Sequence, residues 1–83
     1  NTLTYVNSEM FAVSMKKTDY QYDIAIYNLS SYKEIHTISL AHADQIIDMS
    51  KLSGNGTSYL LSISLGQAKC WNLQTYTSEH LYT

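Results

Sequence analysis

Three histidines, seven acids and one cysteine are the side chains of this chain that could ligate a metal or move a proton. His36, His42 and His80 are not closely spaced, and neither a Cys pair nor a His-x3-His motif accompanies them. The spacings of structural and catalytic zinc sites are therefore missing. Asp44 and Asp48, four residues apart, would share a face on a helix. Acid–base work needs paired carboxylates in a cleft with shifted pKa values, and two solvated loop acids is the simpler reading. Ser, His and Asp all occur, but no Gly-x-Ser-x-Gly elbow frames a nucleophile. Ser53-Gly54-Asn55-Gly56 is not a phosphate loop, because no Lys-Ser/Thr follows it. Cys70 lies within an alternating stretch, which suits a small buried hydrophobe better than a reactive thiol. No catalytic residue, metal site or cofactor is expected.

The elements that hold these residues follow from composition and pattern. The chain has 83 residues, room for one small domain, and at that size burial is marginal for independent stability. One cysteine allows no internal disulfide, so stability is expected to come from a partner or from more of the same protein. An opening Asn1 fits a fragment or a processed chain. The net charge is −2 and there is no arginine. A nucleic-acid binder normally shows a basic patch with Arg for phosphate and guanine, and Lys16-Lys17 reads instead as part of a solvated loop. Direct binding to nucleic acid or membrane is not expected. No apolar run reaches the length that spans a bilayer, and no leader resembling a signal peptide is visible. A lone thiol points to a reducing, intracellular compartment.

Eight tyrosines, no proline and many Ile, Thr and Ser residues suit strands. Leu3 to Val6, Met10 to Met15, Asp23 to Tyr27 and Lys33 to Leu40 alternate apolar with polar residues. Lys16 to Tyr22 reads as a polar connecting loop. Gln45 to Met49, Ser58 to Leu65, Ala68 to Trp71 and Thr75 to Tyr82 give four more strands. Ser53 to Thr57 is the strongest turn, with glycines free to take positive φ. A helix over Ala41 to Leu52 is the alternative there, but flanking strands and a short apolar core favour sheet.

The order repeats. Ile24-Ala25-Ile26-Tyr27-Asn28-Leu29 aligns with Ala68-Lys69-Cys70-Trp71-Asn72-Leu73 at an offset of 44 residues. Ile24 and Ile26 in the first copy, and Ala68 and Cys70 in the second, are the candidate inward residues. Tyr32 and Tyr76 each sit five residues past the motif aromatic. A period of about 40–45 residues with four strands per unit is the signature of a WD-type propeller blade.

The chain resembles the WD-repeat family from about Leu3 to Tyr82. Cys70-Trp71-Asn72-Leu73 looks like the strand-ending Trp-Asp pair with Asn for Asp. Ala41-His42 looks like the Gly-His pair that opens a repeat, and Tyr27 stands in the Trp position of the preceding repeat. The family's acid, about six residues before Trp, is Leu65 here. The resemblance implies an all-β fold of four-stranded antiparallel blades, incomplete in this chain, with one blade over 1–40 and a second over 41–83. It implies that His42, Trp71 and Tyr27 build the blades, with His42 bonded within a blade, and a Trp such as Trp71 packs between sheets and uses its N–H for one bond.

Partner contacts in this family come from loops at one rim, so Lys16, Lys17, Tyr20, Tyr22, Asp44 and Gln67 are the candidates. The function implied is a non-catalytic protein–protein interaction scaffold, a propeller subunit of an intracellular complex in cytoplasm or nucleus. Its partners would be the remaining blades and other proteins of that complex. The competing class is a self-contained β-domain that binds carbohydrate or a cell surface. It draws on the Tyr and Ser richness and on the sequons at Asn28 and Asn55.

Overall fold

The computed structural model describes residues 2–82, with side chains as far as Ser78. The described residues form eight strands and no helix. β1 (Leu3–Tyr5), β2 (Met10–Thr18), β3 (Gln21–Asn28) and β4 (Glu34–His42) make one antiparallel sheet. β5 (Ile46–Gly54), β6 (Thr57–Ser64), β7 (Gln67–Asn72) and β8 (Thr77–Tyr82) make the other. Each sheet is a simple meander whose strands pair in sequence order. The chain leaves the first sheet at β4 and enters the second at β5, which lies against β1. No helix of the structure is long and apolar enough to cross a membrane.

Local chemistry sets the turns. Asn55 and Gly56 both take positive φ (51° and 77°) at the tip of the β5–β6 hairpin. That is the two-residue turn whose twist matches the flanking strands, and Asn-Gly is the pair best suited to it. The Ala41 to Leu52 stretch is not helix: it ends β4 at His42, bends over 43–45 and begins β5 at Ile46. Lys16 to Tyr22, expected as a loop, is instead a paired arm. Lys16 lies opposite Tyr22 and Thr18 opposite Gln21, leaving only Asp19 and Tyr20 as the turn. Polarity did not end these strands, because backbone pairing needs no buried face when both sides meet water.

The 44-residue offset returns as geometry. Asn28 Oδ1 accepts the backbone N–H groups of Ser30 and Ser31 (2.8 and 2.9 Å). Asn72 Oδ1 accepts those of Gln74 and Thr75 (2.8 and 3.3 Å). Each turn then closes with a left-handed tyrosine whose N–H returns to the Asn carbonyl: Tyr32 (φ 59°) and Tyr76 (φ 58°). Leu29 N–H bonds Glu9 O, and Leu73 N–H bonds Ser58 O. The register agrees, with Tyr27 opposite Phe11 and Trp71 opposite Leu60. The two sheets differ in the longer β2–β3 arm of the first and in their opening strands, three residues in β1 against nine in β5.

The core lies between the sheets. Ile24, Ile26 and Ala12 from the first sheet meet Leu60, Met49 and Trp71 from the second, all buried. Each large apolar side chain placed there contributes about 1.5–3 kcal/mol. Sequence pattern assigned the inward residues correctly in one sheet and wrongly in the other. Ile24 and Ile26 are fully buried, whereas Ala68 and Cys70 are only half-buried. Trp71 faces the first sheet, so its strand neighbour Cys70 must face away, and Ala68 shares that parity. In the first sheet the aromatic itself, Tyr27, faces away.

If the Asn28 and Asn72 turns are copies of one device, Asn28→Ala and Asn72→Ala should cost alike. Each loses hydrogen bonds worth about 1 kcal/mol net apiece. Equilibrium denaturation of the two variants measures this. A loss at one position and none at the other would break the equivalence.

Candidate functional site

The most organised polar cluster joins the end of β4 to the second sheet. The backbone of β4 delivers His42 to the sheet junction, where its side chain is 1% exposed. His42 Nε2 lies 2.7 Å from Ser62 Oγ. Trp71 Nε1–H donates to the same Ser62 oxygen at 2.9 Å. On the other side of the ring, His42 Nδ1 lies 2.8 Å from Ser64 Oγ and 3.1 Å from Gln67 Oε1. Ser62, Ser64 and Leu60 alternate along β6 and so share the face that meets the first sheet.

An arrangement with the ring proton on Nδ1 satisfies this set. Gln67 Oε1 can only accept, so it takes the Nδ1–H. Nε2 then accepts from the Ser62 hydroxyl, whose oxygen accepts in turn from Trp71. This proton placement follows from the network of partners. Among the described residues, no buried side-chain polar atom is left without a partner. Leu65, where the sequence resemblance leads one to look for an acid, sits exposed in the β6–β7 turn. Ser64 and Gln67 occupy the far side of the imidazole.

Ser62 and His42 resemble a nucleophile and its base only in residue type. Ser62 is fully buried and spends its oxygen on Trp71, so this pair offers no surface to a substrate. What the cluster can do is join: it spans residues of β4, β6 and β7, and thus both sheets. Lys69 adds a second tie, donating from Nζ to Ala41 O at 2.7 Å. Partial burial pushes the Lys69 pKa below its ordinary value, and the ammonium sits 5.5 Å from the Trp71 ring. At the outer strand His36 stacks on Tyr76 of the other sheet, ring centroids 3.9 Å apart. Among the described residues, no group of three His, Cys, Asp or Glu side chains is placed to hold a metal ion.

The remaining candidates fall at one end of the molecule, the end at which β2, β4 and β6 finish. Lys17, Tyr20 and Asp44 are exposed there, Tyr20 at 80%. Lys16 pairs with Asp19 at 3.0 Å, and that bond and charge raise its pKa. Two candidates serve the interior instead of the surface. Tyr22 packs against the core and Gln67 bonds His42. An open cleft of about 270 Å³ runs between the sheets at this end, lined by Ser14, Met15, Lys16, Tyr22, Gln45 and Ile46. Tyr27 is half-buried on the outer face of the first sheet, stacked on Phe11 at 5.4 Å. His80 lies outside the residues whose side chains are described.

Sequence reasoning missed Ser62 and Ser64. The signal was present in Leu60-x-Ser62-x-Ser64, a period-two run whose polar members share a face with a buried Leu. The sequon asparagine Asn28 is occupied by its own turn, while Asn55 is exposed at the hairpin tip.

Ser62→Ala should leave the Trp71 N–H and His42 Nε2 facing an alanine methyl. The cost expected for orphaned buried groups is about 2–3 kcal/mol, against near zero for Ser53→Ala on the exposed β5 strand. Urea denaturation followed by Trp71 fluorescence compares them. Equal midpoints would mean that the cluster does not tie the sheets.

No family model matches the chain, and no curated protein or solved structure matches it either.

Proposed function

We propose that the chain forms two consecutive blades of a WD-type propeller and serves as a non-catalytic protein–protein interaction scaffold. The observation that carries this reading is the His42–Ser62–Trp71 chain of hydrogen bonds. It uses the residues, and the order along the sequence, that the family resemblance assigns to blade construction. Two further features support it. Each sheet is a four-stranded meander, and the path runs from the last strand of one to the first of the next. The Asn-centred turns repeat at 44 residues.

A propeller protects its sheet edges by radial repetition, so the platform requires blades beyond these two. In this reading the protein works inside the cell, in cytoplasm or nucleus, as part of a complex. Its partner surface is the rim that carries Lys17, Tyr20 and Asp44, beside the cleft at Lys16 and Gln45. The polar, exposed β2–β3 arm is the most extended feature of that rim. The matched residues build the platform, and the rim side chains choose what binds it.

The test is a photo-crosslinking amino acid placed at Tyr20 or Asp44 on the rim, and at Ser30 on the opposite end. With the protein expressed in its own cells, the rim positions should capture the same protein repeatedly and Ser30 should not. Capture from Ser30 alone, or from no position, would contradict the scaffold reading.

A further inference from the structure

The register of the two sheets has a geometric consequence. The repeat maps Tyr27 onto Trp71 and Phe11 onto Leu60. Yet Trp71 and Leu60 face the sheet junction, while Tyr27 and Phe11 face away from it. Conversely, Ile26 and Ala12 face the junction and map onto Cys70 and Leu61, which face away. The covered face of each sheet is therefore the counterpart of the uncovered face of the other.

Both outer faces carry exposed or half-buried apolar side chains, beside Asp23 and Thr37 on the first and Ser50 and Asn72 on the second. Leu3 lies opposite Val13 and Phe11 opposite Tyr27 on the first, with Leu3 68% exposed. Leu52 lies opposite Tyr59 and Leu61 opposite Cys70 on the second, with Leu52 46% exposed. Asp48 joins that second face from β5, opposite Ile63. Tyr32 gives a further indication. Its counterpart Tyr76 carries the stacked His36 ring of the neighbouring sheet, whereas Tyr32 is 72% exposed. The sequence also places His80 44 residues after His36.

We propose that the outer face of β1–β4 receives the outer face of β5–β8 from a second copy of this chain, stacked head to tail. The contact continues the sheet junction already present within the chain. It is heterologous, the two patches being different, so successive copies close a ring or extend. The proposal rests on the blade reading and names a second copy of this chain as the occupant of each outer face.

The test pairs two variants, Val13→Glu on the first face and Leu61→Glu on the second, followed by sedimentation velocity across a concentration series. The wild-type chain should self-associate. Each variant alone should dissociate about tenfold or more readily, as for a charge placed in an interface core. Mixed in equal amounts, the two should form a one-to-one dimer that grows no further, because each supplies the intact face the other lacks. Leu3→Glu and Leu52→Glu, at more exposed positions, give the same comparison if the first pair does not fold. Circular dichroism reports whether each does.

A chain that stays monomeric, a single variant that associates as tightly as the wild type, or a mixture that stays monomeric would each overturn the head-to-tail contact. If the rim still crosslinks its partner, only this contact falls. If the wild-type chain melts cooperatively as a monomer, the blade reading falls with it.

Discussion

The two sheets hold together because one buried imidazole is shared between them. His42 ends the first sheet, and its partners Ser62, Ser64 and Gln67 belong to the second. In a low-dielectric junction, such bonds cost far more to break than they contribute by being made. Sliding the sheets would orphan the imidazole and leave Ser62, Ser64 and Gln67 without their cross-sheet partner, while the Trp71 indole keeps Ser62 within its own sheet. Apolar contact between Ile24, Ile26 and Leu60 supplies attraction but tolerates many relative positions. The hydrogen-bonded chain selects one of them. The ties at Thr4 to Met49 O and at Asn7 to Ser58 fix the same junction along its other edges.

Much of this was legible in the residues. Strand positions followed from alternation, and the Asn55-Gly56 turn from the backbone those residues prefer. The 44-residue period came from Tyr27-Asn28-Leu29 and Trp71-Asn72-Leu73, and it reappears as two matching Asn turns. His42 and Trp71 were singled out by resemblance, and the structure brings them to opposite sides of one serine. The inner faces were harder. Both sides of β2 and of β6 carry apolar residues, so alternation does not say which side is covered. Treating both copies alike put Cys70 inside, because a sequence repeat does not reveal that neighbouring sheets cover opposite faces.

The β2–β3 arm and Gln67 show two other limits. The arm continues as strand through Lys16, Lys17 and Thr18 because its backbone pairs across a tight turn, and side-chain polarity carries no information about that. Gln67 looked like a turn residue at the rim. It is half-buried because its side chain turns in to the His42 ring at the start of β7. A neutral amide there accepts the Nδ1 proton without burying a charge, which would carry a desolvation penalty of several kcal/mol.

The central claim is that the His42–Ser62–Trp71 chain makes the two sheets one cooperative unit. Native-state hydrogen exchange measures it most directly, read at the Trp71 indole N–H and at core amides of β3 and β6. The account predicts that all three exchange through one opening, with the same free energy and the same denaturant dependence. A Trp71 N–H that exchanges early, or a first sheet that opens while β6 stays protected, would contradict it.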